Sequence, residues 1–448
     1  MGANGTLALN TYLASDNSPT DLLIINGGSA TGTTGLKVNN SGGAGAATSG
    51  NGIEVVATSN GASTAAGAFH LAAPVQAGAY EYLLYQGSSS DAVNWYLRSD
   101  LESGTPPTAT TTATSSAGNG ALNPAAYRPA VVGYTMTPAL NADYGFSTLG
   151  TLQQRVGDIA STAHQQSGNS NGVWGRIGGE SLDADAMDRF STDEHTYFAQ
   201  FGKDWTLSQA TQGGSTHAGV TVTIGSSSAS FNDDLRSINP SLSTAAGSVE
   251  TQAQSVGGYW TKYLQDDSYF DSVGQITHYG NHYVDSYGNG ADQNGFGLAL
   301  SEEVGKPFKL AGTSVAIEPQ AQLMYQYLQL NGFSDSVSAV SATTTNALRG
   351  RLGVRIFRAQ MENDTHTGAA TPYFTADVLH DFLPAGQTTV GSTPFDSTLG
   401  RTWYEFGVGV SASMGHSGQL YANVNYGHNF GGQYRQTVYG QAGYRYSW

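Results

Sequence analysis

Leu348-Arg-Gly-Arg-Leu-Gly-Val-Arg-Ile-Phe357 sorts its residues into two sets. Leu348, Gly350, Leu352, Val354 and Ile356 take alternate positions, and Arg349, Arg351, Gly353, Arg355 and Phe357 fill the gaps between them. Successive side chains of a strand point to opposite faces, so three arginines share one face and no charge falls on the other. A soluble β-sandwich also alternates, but its inner face would be crowded with Leu, Ile and Phe. A wall with lipid outside and water inside suits this stretch better. A charge facing lipid near mid-bilayer costs about 2–4 kcal/mol, and here it is avoided.

Neighbouring stretches repeat the sorting. Val315, Ile317, Pro319, Ala321, Leu323, Tyr325 and Tyr327 oppose Glu318, Gln320, Gln322 and Gln326. Tyr404, Phe406, Val408, Val410 and Ala412 oppose Glu405, Gly407, Gly409, Ser411 and Ser413. At the C-terminus Val438, Gly440, Ala442, Tyr444, Tyr446 and Trp448 oppose Tyr439, Gln441, Gly443, Arg445 and Ser447. Alternating segments are read near 172–183, 194–207, 215–231, 250–265, 269–287, 292–304, 313–332, 346–361, 370–383, 401–415, 418–430 and 436–448. Most are long enough for a tilted spanning strand of about 9–11 residues. The expectation is a 12-stranded antiparallel transmembrane β-barrel over 172–448, in an all-β protein. An even strand count puts both barrel ends on the periplasmic side.

Composition agrees. Glycine is frequent (59), tyrosine common (25) and charge scarce (12%), yet the mean hydropathy is −0.28. No stretch approaches the roughly 20 apolar residues of a spanning helix, so a membrane form must be a closed barrel with its backbone groups paired. A net charge of −16 and the lack of a basic run argue against nucleic acid as a partner. The chain has no cysteine, which excludes disulfides and cysteine metal sites. No His-Glu-x-x-His, Gly-x-Ser-x-Gly or phosphate-loop pattern occurs, so neither a catalytic set nor a cofactor is expected. No signal peptide is read at the N-terminus, so an exported chain is expected to carry one upstream of Met1.

The first part of the chain is written differently. Leu22–Ile25, Leu36–Val38 and Ile53–Val56 are brief apolar runs separated by Gly/Asn/Ser turns. A parallel β-helix fits, each short strand stacking on the next, and a β-sandwich is the other architecture such spacing allows. From Ala68 the strands turn aromatic, at Gly78–Tyr85 and Ala92–Leu97, and read as a cap over the open edge of the stack. Ser103–Gly120 is a flexible linker by composition. Beyond Pro138, Phe146, Leu149, Leu152, Val156 and Ile159 recur at helical spacing and predict an amphipathic helix, with Gly157 near its end. About 23 residues at 1.5 Å each are roughly 35 Å long, enough to pass through a barrel.

These stretches resemble a known family. Asp21-Leu-Leu-Ile-Ile-Asn-Gly-Gly, Gly78-Ala-Tyr-Glu-Tyr-Leu-Leu-Tyr and Asn94-Trp-Tyr-Leu are similar to the C-terminal passenger segment, or autochaperone, of bacterial autotransporters. Gly172-Val-Trp-Gly-Arg-Ile-Gly-Gly-Glu, Glu303-Val-Gly-Lys-Pro-Phe, Glu318-Pro-Gln-Ala-Gln-Leu and Pro372-Tyr-Phe-Thr-Ala-Asp resemble strands of the family's translocator barrel. The resemblance implies residues 1–104 as passenger β-helix and autochaperone, 105–137 as linker, 138–171 as pore-spanning helix and 172–448 as barrel. It implies export and anchoring of the chain's own passenger in the outer membrane, with a surface adhesin as the alternative. It further implies outer-membrane lipid, the barrel-assembly machinery and periplasmic chaperones as partners, and a monomer. Tyr444, Tyr446 and Trp448 would be the assembly signal.

Two sets of site residues follow. Arg176, Arg349, Arg351, Arg355 and Arg445 fall on the inward face with Glu180, Glu303, Glu318, Asp377 and Glu405. They are expected to line the pore, pair with one another and hold the helix, since a guanidinium fork suits carboxylates and helix-end carbonyls. Hydration of a polar lumen is the simpler role for any one of them. Some family members cut their passenger at a helix asparagine. By that resemblance Asn141 and Ala142 are the candidate cleavage point, although the family's paired asparagines are absent.

Overall fold

The computed structural model describes residues 5–88, 91–102, 123–157, 171–209, 214–358, 370–383, 386–396, 398–415 and 417–448. Twelve long strands build its largest element. They are β1 (Gly172–Ala186), β2 (Phe190–Gln209), β3 (Ser215–Asp233), β4 (Ala245–Tyr263), β5 (Tyr269–Asp285) and β6 (Gly290–Gly305). Then come β7 (Val315–Leu330), β8 (Thr343–Arg358), β9 (Ala370–Leu383), β10 (Thr402–Met414), β11 (Gly418–Asn429) and β12 (Arg435–Ser447). Each pairs antiparallel with its sequence neighbours, and β1 pairs with β12 from Gly172↔Ser447 to Ala184↔Arg435, so the sheet closes on itself. Closure leaves no strand edge unpaired.

The two-residue sorting holds around the ring. Leu352 is 69% exposed on the outside, while its neighbour Arg351 is 6% exposed on the inside. In β3, Val220, Val222 and Ile224 are exposed while Thr221 and Thr223 are buried. The wall is uneven in height: β2 has 20 residues and β11 has 12. On the taller side the outer face turns polar toward one rim, with Asp193, His195, Ser228, Ser230, Glu250 and Gln252 exposed there.

Two helical segments precede β1: α1 (Ala130–Leu149) and α2 (Leu152–Val156). This corrects the expected boundary. α1 starts eight residues before Pro138 and contains it. A proline inside a helix forfeits one backbone bond and costs about 3 kcal/mol in isolation. Here all of α1 except the half-buried Ser147 is buried, and packing around its whole circumference offsets that loss. For the same reason the helix is not amphipathic, since it has no solvent face. Pro129, with φ −53°, sits where a fixed helical φ starts a helix well. The expected linker therefore ends before Ala130. Ile159 lies outside the described residues, as do 103–122 of the linker reading and 158–170 of the helix reading.

α1 packs chiefly against β2 to β7. Its small residues permit the close approach: a Cβ on Gly145 would collide with the Gln326 side chain of β7.

At the N-terminal end, short strands stack in parallel. Gly5–Thr11 pairs with Thr34–Asn40, which pairs with Phe69–Leu71, while Leu23–Asn26 pairs with Ile53–Ser59. Leu36, Ile53, Val55, Val56, Tyr82 and Leu97 form a core between the sheets. Pairing then switches to antiparallel: Trp95–Arg98 lies between Ile53–Ser59 and Tyr80–Gln86, and Val75–Ala77 completes the group. These antiparallel strands cover one end of the stack. That is the stack-and-cap arrangement, not a sandwich.

Candidate functional site

Inward parity sets the lumen. Arg349, Arg351 and Arg355 rise along β8, and β7 and β9 bring carboxylates and amides opposite them. Arg351 donates from Nη1 to Asp377 Oδ1 at 2.6 Å and to Gln320 Oε1 at 2.9 Å. Its Nη2 reaches Glu303 Oε1 at 3.2 Å, and its Nε reaches Gln322 Oε1 at 3.0 Å. Arg355 lies 3.5 Å from Glu318 and stacks over the rings of Phe357 and Tyr373. So the structure brings five of the ten expected residues into mutual pairs. Arg176, Glu180, Arg349, Glu405 and Arg445 are inward too, but their partners lie outside that set.

Several of these partners are on the helices. Arg176 donates to the Thr148 carbonyl at 2.6 Å, near the C-terminus of α1, and also to Gln200 and Gln441. A cation there suits the negative end of a helix. Gly150, at φ +62°, then breaks the helix, and a Cβ on it would come 2.6 Å from Arg176 Nη1. The break starts α2 at Thr151, which caps it, and Glu303 accepts from the Leu152 N–H at 2.9 Å. A carboxylate at a helix start is likewise favourable. Glu318 accepts from Gln153 at 3.0 Å, and Glu180 from the Ser147 hydroxyl at 2.6 Å. Arg349 donates to Asp143 of α1 at 2.7 Å and to Asp381 of β9 at 2.7 Å. Glu405 accepts from Trp403 Nε1 at 2.8 Å, and Arg445 donates to Asp204 at 2.6 Å.

Four central residues escaped the sequence reading. Asp143 is the only charged side chain in α1, and Arg435 meets it at 2.7 Å from the start of β12. Arg155 of α2, fully buried, donates to Asp271 of β5 at 2.5 Å. Parity would have found Arg435 and Asp271, since Arg435 is in step with Thr437, Tyr439 and Gln441. A lone charge in an uncharged helix was the available signal for Asp143.

Asn141 lies in the middle of α1, not near its start as expected from the later boundary. It is buried, and its side-chain amide donates to Asn281 Oδ1 at 3.2 Å; Ala142 is buried beside it. Tyr444, Tyr446 and Trp448 face outward along β12 at the rim where β1 begins, and the Trp448 N–H donates to the Asn171 carbonyl at 2.9 Å. No metal-binding cluster is found among the described residues.

At the opposite rim the cap meets the barrel. Residues 123–128 return to it through backbone bonds: Glu81 N–H to the Ala126 carbonyl, Arg128 N–H to Ala79, and Ala126 N–H to Ser99. Arg128 donates to the Gly78 carbonyl at 2.7 Å and to Asp335, between β7 and β8, at 2.6 Å. Arg236, between β3 and β4, donates to Glu81 of the cap at 2.6 Å, and the Tyr287 hydroxyl also donates to Glu81. Arg189, between β1 and β2, holds Asp233 and donates to the Ala125 carbonyl at 3.2 Å. Tyr127 packs edge-on to Phe395 at 4.9 Å. Burial pushes the Asp335 carboxyl up, but the Arg128 guanidinium and the Ser338 and Val337 N–H groups outweigh it and hold it below the usual carboxylate range.

The family model "Autotransporter beta-domain" matches residues 173–425, more than half of the chain. The chain belongs to the autotransporter family. A second model, "Autochaperone Domain Type 1", matches residues 1–84. The adhesin BmaC autotransporter of Brucella suis is 31% identical over 485 residues, covering 100% of this chain and 13% of that protein. The pertactin autotransporter of Bordetella parapertussis is 26% identical, over 66% of this chain and 30% of pertactin. The chain thus spans a minor part of the length of these relatives. The translocator domain of the autotransporter NalP from Neisseria meningitidis superposes with a TM-score of 0.52 at 17% identity, covering 71% of this chain and 99% of that domain. The likeness is one of fold. As in its family, the barrel of this autotransporter is an outer-membrane one.

Proposed function

We infer that this autotransporter exports its own N-terminal passenger through the barrel and then holds it on the cell surface. One observation carries the reading. The segment joining the cap at one rim to β1 at the other runs as α1 among inward-facing side chains, bound by Arg176, Arg349, Glu180 and, through α2, Glu303. A passenger at one rim and strand termini at the other require such a connection in a barrel of even strand number. The luminal pairs anchor the helix once export ends. The work of export comes from folding of the cap and coils outside, since the outer membrane offers no ATP.

The barrel-assembly machinery and periplasmic chaperones are the partners this role calls for, with Tyr444, Tyr446 and Trp448 as the assembly signal and a monomer as the working unit. Autocleavage at Asn141–Ala142 is testable by mass spectrometry of the barrel from outer membranes; an intact 123–157 segment excludes it. For export itself, deletion of Ala68–Leu101 is expected to slow the appearance of residues 5–67 on intact cells. Display at the normal rate by that variant overturns the role given to the cap. The name of the Brucella relative favours a second reading, a surface adhesin, which loss of cell attachment after protease shaving would support.

A further inference from the structure

The lumen is not filled evenly. α1 is packed against β2 to β7, and on its other side two cavities of mixed polar and apolar lining lie one above the other along β7 to β12. The larger has about 110 Å³ open to water centres and is lined by Glu180, Arg351, Asp377, Glu405 and Asn423 among others. The smaller, about 30 Å³, lies toward the mouth beside Asp381, Leu399 and Arg401. A single water needs about 10–15 Å³ by this measure, so both admit water.

The two cavities share three lining residues: Phe146, Arg349 and Arg435. These three are also tied together. Arg349 and Arg435 each donate to the same oxygen of Asp143, at 2.7 Å. Both guanidinium groups stack on the Trp403 ring, at 4.7 and 4.0 Å, and Arg349 lies 4.6 Å over Phe146. The partition is therefore a clasp from the helix (Asp143, Phe146) to the wall (Arg349, Trp403, Arg435), with water-sized space on both sides.

We propose that this clasp is the gate of a narrow conduit beside the helix, sealing the barrel against small hydrated ions after export. The gate rests on the export reading above, which puts the helix in a membrane pore. Asp143, together with Asp381 bound to Arg349 at 2.7 Å, balances the two guanidinium groups, so the clasp closes the path without leaving a fixed ion site; a constriction of paired side chains is a common way to stop ions in a pore. Asp143 and Arg435 are positioning residues for the plug, and Phe146 supplies bulk.

The test is potassium conductance of the full chain in planar bilayers, comparing the parent with Asp143→Asn, Phe146→Ala and Lys306→Gln. Phe146→Ala leaves every charge in place, so it carries the test where Asp143→Asn fails to fold. Lys306, in an exposed turn between β6 and β7, is the control. The expected result is a conductance raised at least about twofold in the two gate variants and unchanged in the control. Folded gate variants, judged by heat-modifiable gel migration, that conduct like the parent overturn the gate. Passenger display by the same cells reads export separately: normal display with unchanged conductance removes the gate alone.

Discussion

In the lumen, the arginines that pair across the wall come from strands: Arg349, Arg351 and Arg355 from β8, and Arg445 from β12. At the mouth they come from connections: Arg128 before α1, Arg189 between β1 and β2, and Arg236 between β3 and β4. Both regions bury guanidinium groups against carboxylates and carbonyls. They differ in what must be in place first. The Arg351 network joins β6, β7, β8 and β9, and exists once those four strands have paired. The Arg236 pair needs Glu81, which takes its place only when the cap has folded and 123–128 have paired back on it. The lumen is thus a property of the barrel, and the mouth is a joint that needs the folded cap as well.

The largest expected effect separates them most sharply. Arg351→Gln leaves Glu303 and Asp377 buried with less compensation, and loss of one partner from a buried pair costs about 3–5 kcal/mol. Urea unfolding of the barrel in lipid vesicles should fall by that order, with the cap still docked. Glu81→Gln should do the reverse. Arg236 keeps the Ser243 and Tyr127 carbonyls, so the loss is about 2 kcal/mol. It should appear as faster hydrogen exchange at Ala126 and Arg128, with barrel unfolding unchanged. A barrel that weakens equally in both variants would end the distinction.

Acid gives a smaller, graded test. The carboxyl of Asp335 titrates below its ordinary value in the folded chain. Its contribution is therefore complete above the unfolded carboxylate pKa and is lost as pH falls through the lowered native value, below about pH 4. Spin labels on the cap and on the β7–β8 connection should keep a narrow distance distribution at neutral pH and broaden in acid; Asp335→Asn should broaden it at neutral pH. The smallest effect belongs to the opposite rim. Lys306 and Asp266 meet at 2.7 Å, but both are about half exposed, and Lys306→Gln should leave the unfolding curve unmoved.

The barrel was legible because alternation is local: strands such as β7, β8, β10 and β12 reveal their two solvents by parity alone, whereas the register of β3 to β5 was not legible, and the twelve expected segments fall on the twelve strands. The ten inward residues were legible for the same reason. Their partners were only partly so. Arg351 with Glu303 and Asp377 could be guessed as a set, whereas Arg445 with Asp204 spans most of the barrel's length in sequence and depends on closure between β1 and β12. The start of α1 was misplaced because a rule for exposed helices, that proline ends them, was applied to a helix with no exposed side.

By itself the sequence determined which side of the clearly alternating strands meets lipid, the number of strands and the short apolar runs that precede an aromatic group, because these rest on residue periods that a short window contains. Tertiary structure alone decided where the helix lies against the wall, which arginines hold it and how the cap seats on the mouth. Those contacts join residues scores of positions apart, and only the closed ring fixes their distances.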